Sequence, residues 1–484
     1  MINFVTSKVD ESMRMSILFI FSLLTVVMAG QSGSGYEIKL KINGLGDSTV
    51  YLAYHYGDKQ YLKDTIKLDR SGFGILKGNE PLPEGIYMIV LPGKKYFEML
   101  IPGDQHFSVA TSYPDFFGTL EFSGSDENIA FIDYQRNWIR LQGRAADLSA
   151  RYQRNRNNND SLKQLQQERV RHEAVMKEYL RGVIEQHKGT LLAMLIKAMM
   201  PVELPSFNIP EGTRNPDSVR YVLTYLYNKE HFFDNIDFSD ERILRTPIFH
   251  SKLETFFGNI VIQLADSVNR EIDRLIPKTL NNYKIFQYVA VYLFNHYRES
   301  EIMGHDAIVI KLADDIYLSG KADWTTQEWR DNLKKEVERI RPNLIGVKAH
   351  DLVMNTYNNV YVSLNEIKKD FVILIFWEPD CGHCKEAVPK LNDYYEKYKN
   401  KGIEVFAVCT QPDRQKWESF IQEKKLYWIN GWDPMRTTRY DYYYNVTSTP
   451  LIYILDKEKK IIAKKLPVES VESFIEEYRK HNSK

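Results

Sequence analysis

The feature that most constrains the fold lies at residues 371–391, which read FVILIFWEPDCGHCKEAVPKL. An apolar run of the length of one buried strand leads directly into two cysteines that are separated by two residues. We predict that the strand ends at Trp377 and that a helix begins near Cys381. The chain must therefore place a thiol at the junction between a strand and a helix.

Three kinds of site would explain Cys381 and Cys384. A zinc site needs four ligands, but here only His383 accompanies the two cysteines, and the chain has no second CxxC or HxxxH. A structural disulfide would close a minimal loop and so would stabilise the fold little. A redox dithiol fits better, because backbone N–H groups at a helix start favour a thiolate at Cys381. Cys384, one turn deeper, would then attack a mixed disulfide.

Four neighbouring residues are further candidates, and three of them have two interpretations. His383 would favour the Cys381 thiolate if protonated, or it is an exposed imidazole. Asp380 raises the pKa of the adjacent thiol, or it caps the helix. Glu378 accepts a proton, or it is a solvated acid, which we favour. Pro389 is expected to kink the helix in which it lies.

The cysteine count and the charge balance limit the function. The chain has 484 residues and only three cysteines, Cys381, Cys384 and Cys409, all in its last quarter, which indicates reactivity rather than structural cross-linking. Cys409 is either a third redox thiol or a small buried apolar residue, and we favour the second interpretation. The 64 basic residues equal the 64 acidic ones, so nothing indicates binding to nucleic acid.

The N-terminus resembles a secretion signal. An apolar run follows Arg14 and ends with the small residues Val27 and Ala29, which fit the rule for a cleavage site. We expect residues 1–30 to be a signal peptide, with translation starting at Met13, and the protein to be exported to the periplasm or cell envelope. The alternative is an uncleaved membrane anchor.

Periodicity divides the remaining chain into three parts. Residues 31–124 contain short β-branched and aromatic segments separated by turn residues, which predicts a β-sandwich. Residues 125–342 have helical periodicity, with a polar break at 151–161 and an apolar helical segment at 251–276. Residues 343–484 alternate strand, helix, strand, helix, hairpin and helix, an α/β pattern. The fold class is therefore multidomain.

The last part resembles the thioredoxin fold, in particular its secreted TlpA/ResA-type branch. The matching motifs are FWEPDCGHCKEAVPKL, with Trp377 four residues before the first cysteine and Pro389 five after the second, and STPLIYILDK. The resemblance assigns Thr449-Pro450 to the cis-proline loop of the family, which lies against the dithiol and pairs with the substrate backbone. The tetrad CGHC is similar to that of protein disulfide isomerases. One departure is Ile375, which stands where thioredoxins have a buried acid.

The N-terminal part also resembles a known family. KINGLGDSTVYLAYHYGDKQYLKDTIKLDRSGFGILKGN, together with LEFSGSDENIAFIDY, resembles the DUF4369-type β domain that precedes thioredoxin domains in exported Bacteroidetes proteins. The helical part resembles the companion region of those proteins. Neither resemblance implies a catalytic residue.

The resemblances imply an exported thiol–disulfide oxidoreductase that reduces or rearranges protein disulfides. Its only redox group would be the Cys381–Cys384 disulfide, with no other cofactor, and a membrane thiol reductase would supply electrons. A thiol peroxidase is a weaker alternative, because such enzymes carry Thr or Ser where this chain has Glu378. A third alternative is a scaffolding protein of the envelope, in which the β and helical parts bind a partner.

Overall fold

The structure, a computed structural model, describes residues 35–482. The expected signal peptide, residues 1–30, lies outside the described residues. None of the helices between residues 35 and 482 combines the length and apolar character that crossing a membrane requires.

The strands of the first part are β1 Tyr36–Asn43, β2 Thr49–Tyr56, β3 Lys59–Lys67, β4 Phe73–Gly78, β5 Gly85–Val90, β6 Tyr96–Ile101, β7 His106–Ser112 and β8 Glu121–Ser123. They form a sandwich of two four-stranded sheets, in the orders β4-β1-β7-β8 and β3-β2-β5-β6. Alternate residues of β1, such as Ile38 and Leu40, enter a core shared with Leu52 and Ile89 of the other sheet. The predicted β-sandwich is confirmed.

The middle part is helical, as predicted. Its helices are α1 Asp126–Arg154, α2 Asn159–Gln186, α3 Leu191–Met199, α4 Pro216–His231, α5 Pro247–Glu254, α6 Ala265–Thr279, α7 Tyr283–Arg298, α8 Asp306–Leu312 and α9 Gln327–Ile340. The polar break lies between α1 and α2, which pack on each other. The side chain of Asn158 caps α2 by accepting a hydrogen bond from the Ser161 N–H at 3.0 Å.

The apolar segment at 251–276 packs inside the helical part, as expected, and consists of two helices separated by a break. Helix α5 passes into a π-helical turn at Thr255–Ile260, and the backbone becomes extended at Val261 before α6 begins. The side-chain amide of Gln263 donates to the carbonyls of Phe257 and Val261 at 2.6 and 2.7 Å. These bonds satisfy backbone groups that a continuous helix would otherwise use, so the break is stable.

The elements of the last part are β9 Val353–Thr356, β10 Tyr361–Ser363, β11 Phe371–Trp377, α10 Gly382–Tyr398, β12 Ile403–Cys409, α11 Arg414–Lys424, β13 Ile429–Trp432, α12 Tyr440–Tyr443, β14 Leu451–Leu455, β15 Ile461–Lys464 and α13 Val471–Asn482. The strands form one seven-stranded sheet in the order β10-β9-β13-β12-β11-β14-β15. The predicted α/β layers are present, while the hairpin β9–β10 and strand β13 were not predicted.

Strand pairing brings several loops to one edge of this sheet. The central strand β11 is buried along its whole length, runs parallel to β12 and is antiparallel to β14. The C-terminal ends of β11 and β12 therefore lie at the same edge as the start of β14. This arrangement places the loop after Trp377 between the loop after Cys409 and the segment that contains Thr449.

Candidate active site

Cys381 occupies the N-cap position of helix α10, at the end of the buried strand β11. Its Sγ accepts a hydrogen bond from the backbone N–H of Cys384 at 3.3 Å. A thiol sulfur thus fills the role that a Ser or Asp oxygen usually fills at a helix N-terminus, where partial positive charge favours an anion. Cys381 is partly exposed, whereas Cys384 has 0% exposure.

The start of β14 completes the site on its other side. In the thiol form, Cys381 Sγ donates to the carbonyl oxygen of Thr449 at 3.3 Å. The Thr449-Pro450 peptide bond is cis, as the resemblance implied, and Pro450 is half-buried. The contact joins residues that are 68 positions apart in the chain.

The two cysteines differ in their electrostatic surroundings. Partial burial disfavours the Cys381 thiolate, but hydrogen bonds from the Cys384 thiol, the Cys384 N–H and the His383 N–H outweigh it and lower the pKa of Cys381. Burial, reinforced by the hydrogen bond with Cys381, raises the pKa of Cys384 to about 12. The pair therefore favours ionisation of the partly exposed Cys381 over that of the buried Cys384.

Asp380 does not cap the helix, which corrects one of its two interpretations. The cap is the neighbouring Cys381 sulfur, and Asp380 instead turns towards α11. Its Oδ2 accepts hydrogen bonds from Gln411 Nε2 and from Lys416 Nζ, each at 2.7 Å. These two contacts, led by the one from Lys416, lower the pKa of Asp380.

Glu378 is half-buried, so it is not the solvated surface acid that we favoured. Its Oε1 accepts a hydrogen bond from the Thr410 hydroxyl at 2.7 Å. The Thr410 N–H also donates to the Trp377 carbonyl at 3.0 Å. Glu378 therefore anchors the loop before Cys381 to the end of β12.

Trp377 and Cys409 lie side by side behind the dithiol. They pair in the register of β11 and β12, and both have 0% exposure. The Trp377 ring packs 5.0 Å from that of Phe420, measured between centroids. Burial raises the pKa of Cys409 to about 12, which fits the favoured interpretation of a small apolar residue. Ile375, at the thioredoxin acid position, is also completely buried.

His383 and Pro389 take peripheral places. The His383 side chain is exposed, and Pro389 lies inside α10 and is half-buried. Among residues 35–482, no three His, Cys, Asp or Glu side chains are grouped as a metal site requires.

The sequence analysis missed Thr410, Gln411 and Lys416, which contact the loop before Cys381. A signal was present, since the carboxyl ends of neighbouring parallel strands meet at one edge of a sheet. Cys409 is the last residue of β12, and Thr410 and Gln411 follow it directly.

Comparison with known proteins shows similarity to thioredoxin-like domains and to thiol-disulfide oxidoreductases. Residues 345–464 match the model of the AhpC/TSA family. The chain is 25% identical over 169 residues to the thiol-disulfide oxidoreductase ResA of Bacillus cereus, which covers 34% of this chain and 90% of the relative. It is 27% identical over 134 residues to the ResA of Bacillus subtilis, covering 28% and 73% respectively.

Two solved structures are similar to parts of this chain. A domain of a possible thiol-disulfide isomerase from Cytophaga hutchinsonii is 37% identical, covering 28% of this chain and 95% of that one, with a TM-score of 0.28. A thioredoxin-like protein from Bacteroides caccae is 20% identical, covering 58% and 99%, with a TM-score of 0.44.

The family match places residues 345–464 in the AhpC/TSA family of thioredoxin-like domains. The similarity to the curated relatives, together with the dithiol at the strand–helix junction, makes the protein a thiol–disulfide oxidoreductase. The resemblance of residues 31–124 to the DUF4369-type domain stays a prediction.

Proposed function

We propose that the protein exchanges disulfides with other proteins through Cys381 and Cys384. The observation that carries this proposal is the difference between the two sulfurs. Cys381 is partly exposed and receives the N–H of Cys384, whereas Cys384 is buried and keeps its proton. The first is suited to attack a client disulfide and the second to resolve the resulting intermediate.

The reaction has two exchange steps. The Cys381 thiolate attacks one sulfur of the client disulfide, the client S–S bond breaks, and the departing client sulfur takes a proton from solvent. Cys384 then loses its proton and attacks Cys381 Sγ, which breaks the mixed disulfide and releases the second client thiol. The client gains two electrons, and the Cys381–Cys384 disulfide remains.

Regeneration requires an external electron donor. We propose that a membrane thiol reductase reduces the Cys381–Cys384 disulfide and that no further cofactor takes part. The apolar segment after Arg14 supports export, so that the enzyme would act in the periplasm or cell envelope. Disulfides persist in such compartments, where clients would therefore be present.

Trapping of mixed disulfides tests the roles of the two cysteines. We expect reduced Cys384→Ser protein to form a stable adduct with insulin, because no second thiol can release it. Cys381→Ser, the matched control, should form none, since Cys384 is buried. Non-reducing electrophoresis with mass spectrometry would measure the adducts. Adducts with Cys381→Ser but not with Cys384→Ser would contradict the proposal.

A further inference from the structure

We propose that Lys416 is a positioning residue for the reaction, because it neutralises Asp380 beside the attacking Cys381. This inference rests on the proposed function and adds to it a residue outside the CGHC motif. Lys416 lies 36 positions after Asp380, on helix α11.

The contacts form a clamp between two loops, one before Cys381 and one after β12. On the first loop, Asp380 Oδ2 accepts from Lys416 Nζ and Gln411 Nε2, both at 2.7 Å. Two residues earlier, Glu378 Oε1 accepts a hydrogen bond from the Thr410 hydroxyl at 2.7 Å. Both acids of the first loop therefore have partners on the second loop, and the Asp380 carboxylate is held towards α11.

The charge of Asp380 would otherwise oppose catalysis. Asp380 directly precedes Cys381, and a nearby negative charge disfavours a thiolate. Other charged or titratable side chains of this region are Glu378, whose carboxylate accepts from Thr410, the exposed His383 and Lys385, and Asp413 at the start of α11. Lys416 forms an ion pair with the Asp380 carboxylate, so its removal would leave that carboxylate beside Cys381 without its contacting cation.

The exposure of the Lys416–Asp380 ion pair limits how far its loss can shift the pKa of Cys381. The side chains of Lys416 and Asp380 are 52% and 51% exposed, so solvent and salt screen their interaction. Exposed pairs of this kind change the pKa of a neighbour by fractions of a unit. We therefore expect the loss of Lys416 to raise the pKa of Cys381 by a fraction of a unit, and this shift to become smaller at high salt.

The test is the pH dependence of Cys381 alkylation in full-length reduced protein at low ionic strength. The probe is iodoacetamide, which reacts with thiolates, and Cys384 and Cys409 stay protonated because their pKa values are raised to about 12. We expect Lys416→Gln to raise the midpoint by about half a pH unit, which is about a threefold slower reaction below the midpoint. The reduction potential of Cys381–Cys384 should become more negative.

Three further variants distinguish the loss of the Lys416 charge from a general loss of structure. Lys416→Arg should keep the wild-type profile, and Asp380→Asn combined with Lys416→Gln should restore it. The matched control is Lys424→Gln, which removes a similar charge from the same helix, where Lys424 contacts Glu423 instead. The shift in Lys416→Gln should also shrink at about 1 M salt.

The inference is overturned if Lys416→Gln keeps the wild-type midpoint, if it shifts no more than Lys424→Gln, or if Asp380→Asn does not reverse its shift. These outcomes are distinct from failure of the proposed function. That failure would appear as absence of insulin adducts with Cys384→Ser, whereas iodoacetamide reports the thiolate directly.

Discussion

At the scale of single residues, the site depends on three thiols in different surroundings. Cys381 caps a helix and is partly exposed, while Cys384 and Cys409 are fully buried. Burial raises the pKa of Cys384 and of Cys409 to about 12. Because the fold holds these two thiols in their neutral form, we expect the reduced protein to lose stability at alkaline pH.

This sensitivity gives a prediction for Cys409. Thiols in the unfolded chain titrate near ~8.5, so between about pH 8.5 and 12 the unfolded state loses protons that the folded state retains. The stability contributed by the neutral buried thiol is complete below pH 8.5 and is lost as pH rises through this window. From pH 8 to pH 10 one such thiol loses about 2 kcal/mol. Urea denaturation of the reduced protein should show a smaller alkaline loss in Cys409→Ala than in wild type. An equal loss would show that Cys409 ionises normally in the fold.

At the scale of elements, the turn between helix α10 and strand β12 depends on Gly402, the residue directly before β12. Its φ is +79°, and a Cβ there would approach Asp370 Oδ2 to 2.2 Å. The left-handed backbone alone costs a residue with a Cβ about 1–2 kcal/mol. We expect Gly402→Ala to lower the free energy of unfolding by about 2 kcal/mol, measured by urea denaturation.

A matched control for this prediction is Gly182→Ala in helix α2. No atom lies within 4 Å of a Cβ built at Gly182, so this change should stabilise its helix by about 0.5–1 kcal/mol. If both alanine variants had the same stability, the left-handed backbone at Gly402 would not restrict this turn to glycine.

The sequence predicted some elements of the site well and others not. Strand β11 and the start of α10 were predictable, because a long apolar run and a helix N-terminus are local signals. Strand β13 was missed, since Asn430 and Gly431 disfavour strands. In the fold, Asn430 Nδ2 bonds the Leu426 carbonyl at 2.8 Å, and Gly431 leaves room for Phe406. The contact of Asp380 with Lys416 was equally hidden, because it depends on the pairing of two strands.

At the scale of the whole molecule, buried polar contacts join the three parts. The Asn128 side chain in α1 bonds both backbone groups of Leu100 in the β-sandwich, at 2.8 and 2.9 Å. Lys464, at the end of β15 and only 4% exposed, connects the thioredoxin-like part with the helical part. Its Nζ forms an ion pair with Asp306 and donates to the Asn343 carbonyl at 2.8 Å. The orientation of the dithiol relative to the other parts therefore depends on a buried cation.

The last prediction concerns this junction. Lys464→Met leaves the Asp306 carboxylate partly buried without its cation, and breaking a buried pair in this way costs about 3–5 kcal/mol. We expect faster limited proteolysis near residues 341–347 and a lower denaturation midpoint. Lys464→Met combined with Asp306→Asn should recover much of the loss, because no unpaired charge remains. Iodoacetamide labelling of Cys381 should be unchanged in both variants, since Lys464 does not contact the dithiol loops. If the double variant were as unstable as Lys464→Met alone, packing of the lysine chain, rather than its charge, would hold the junction.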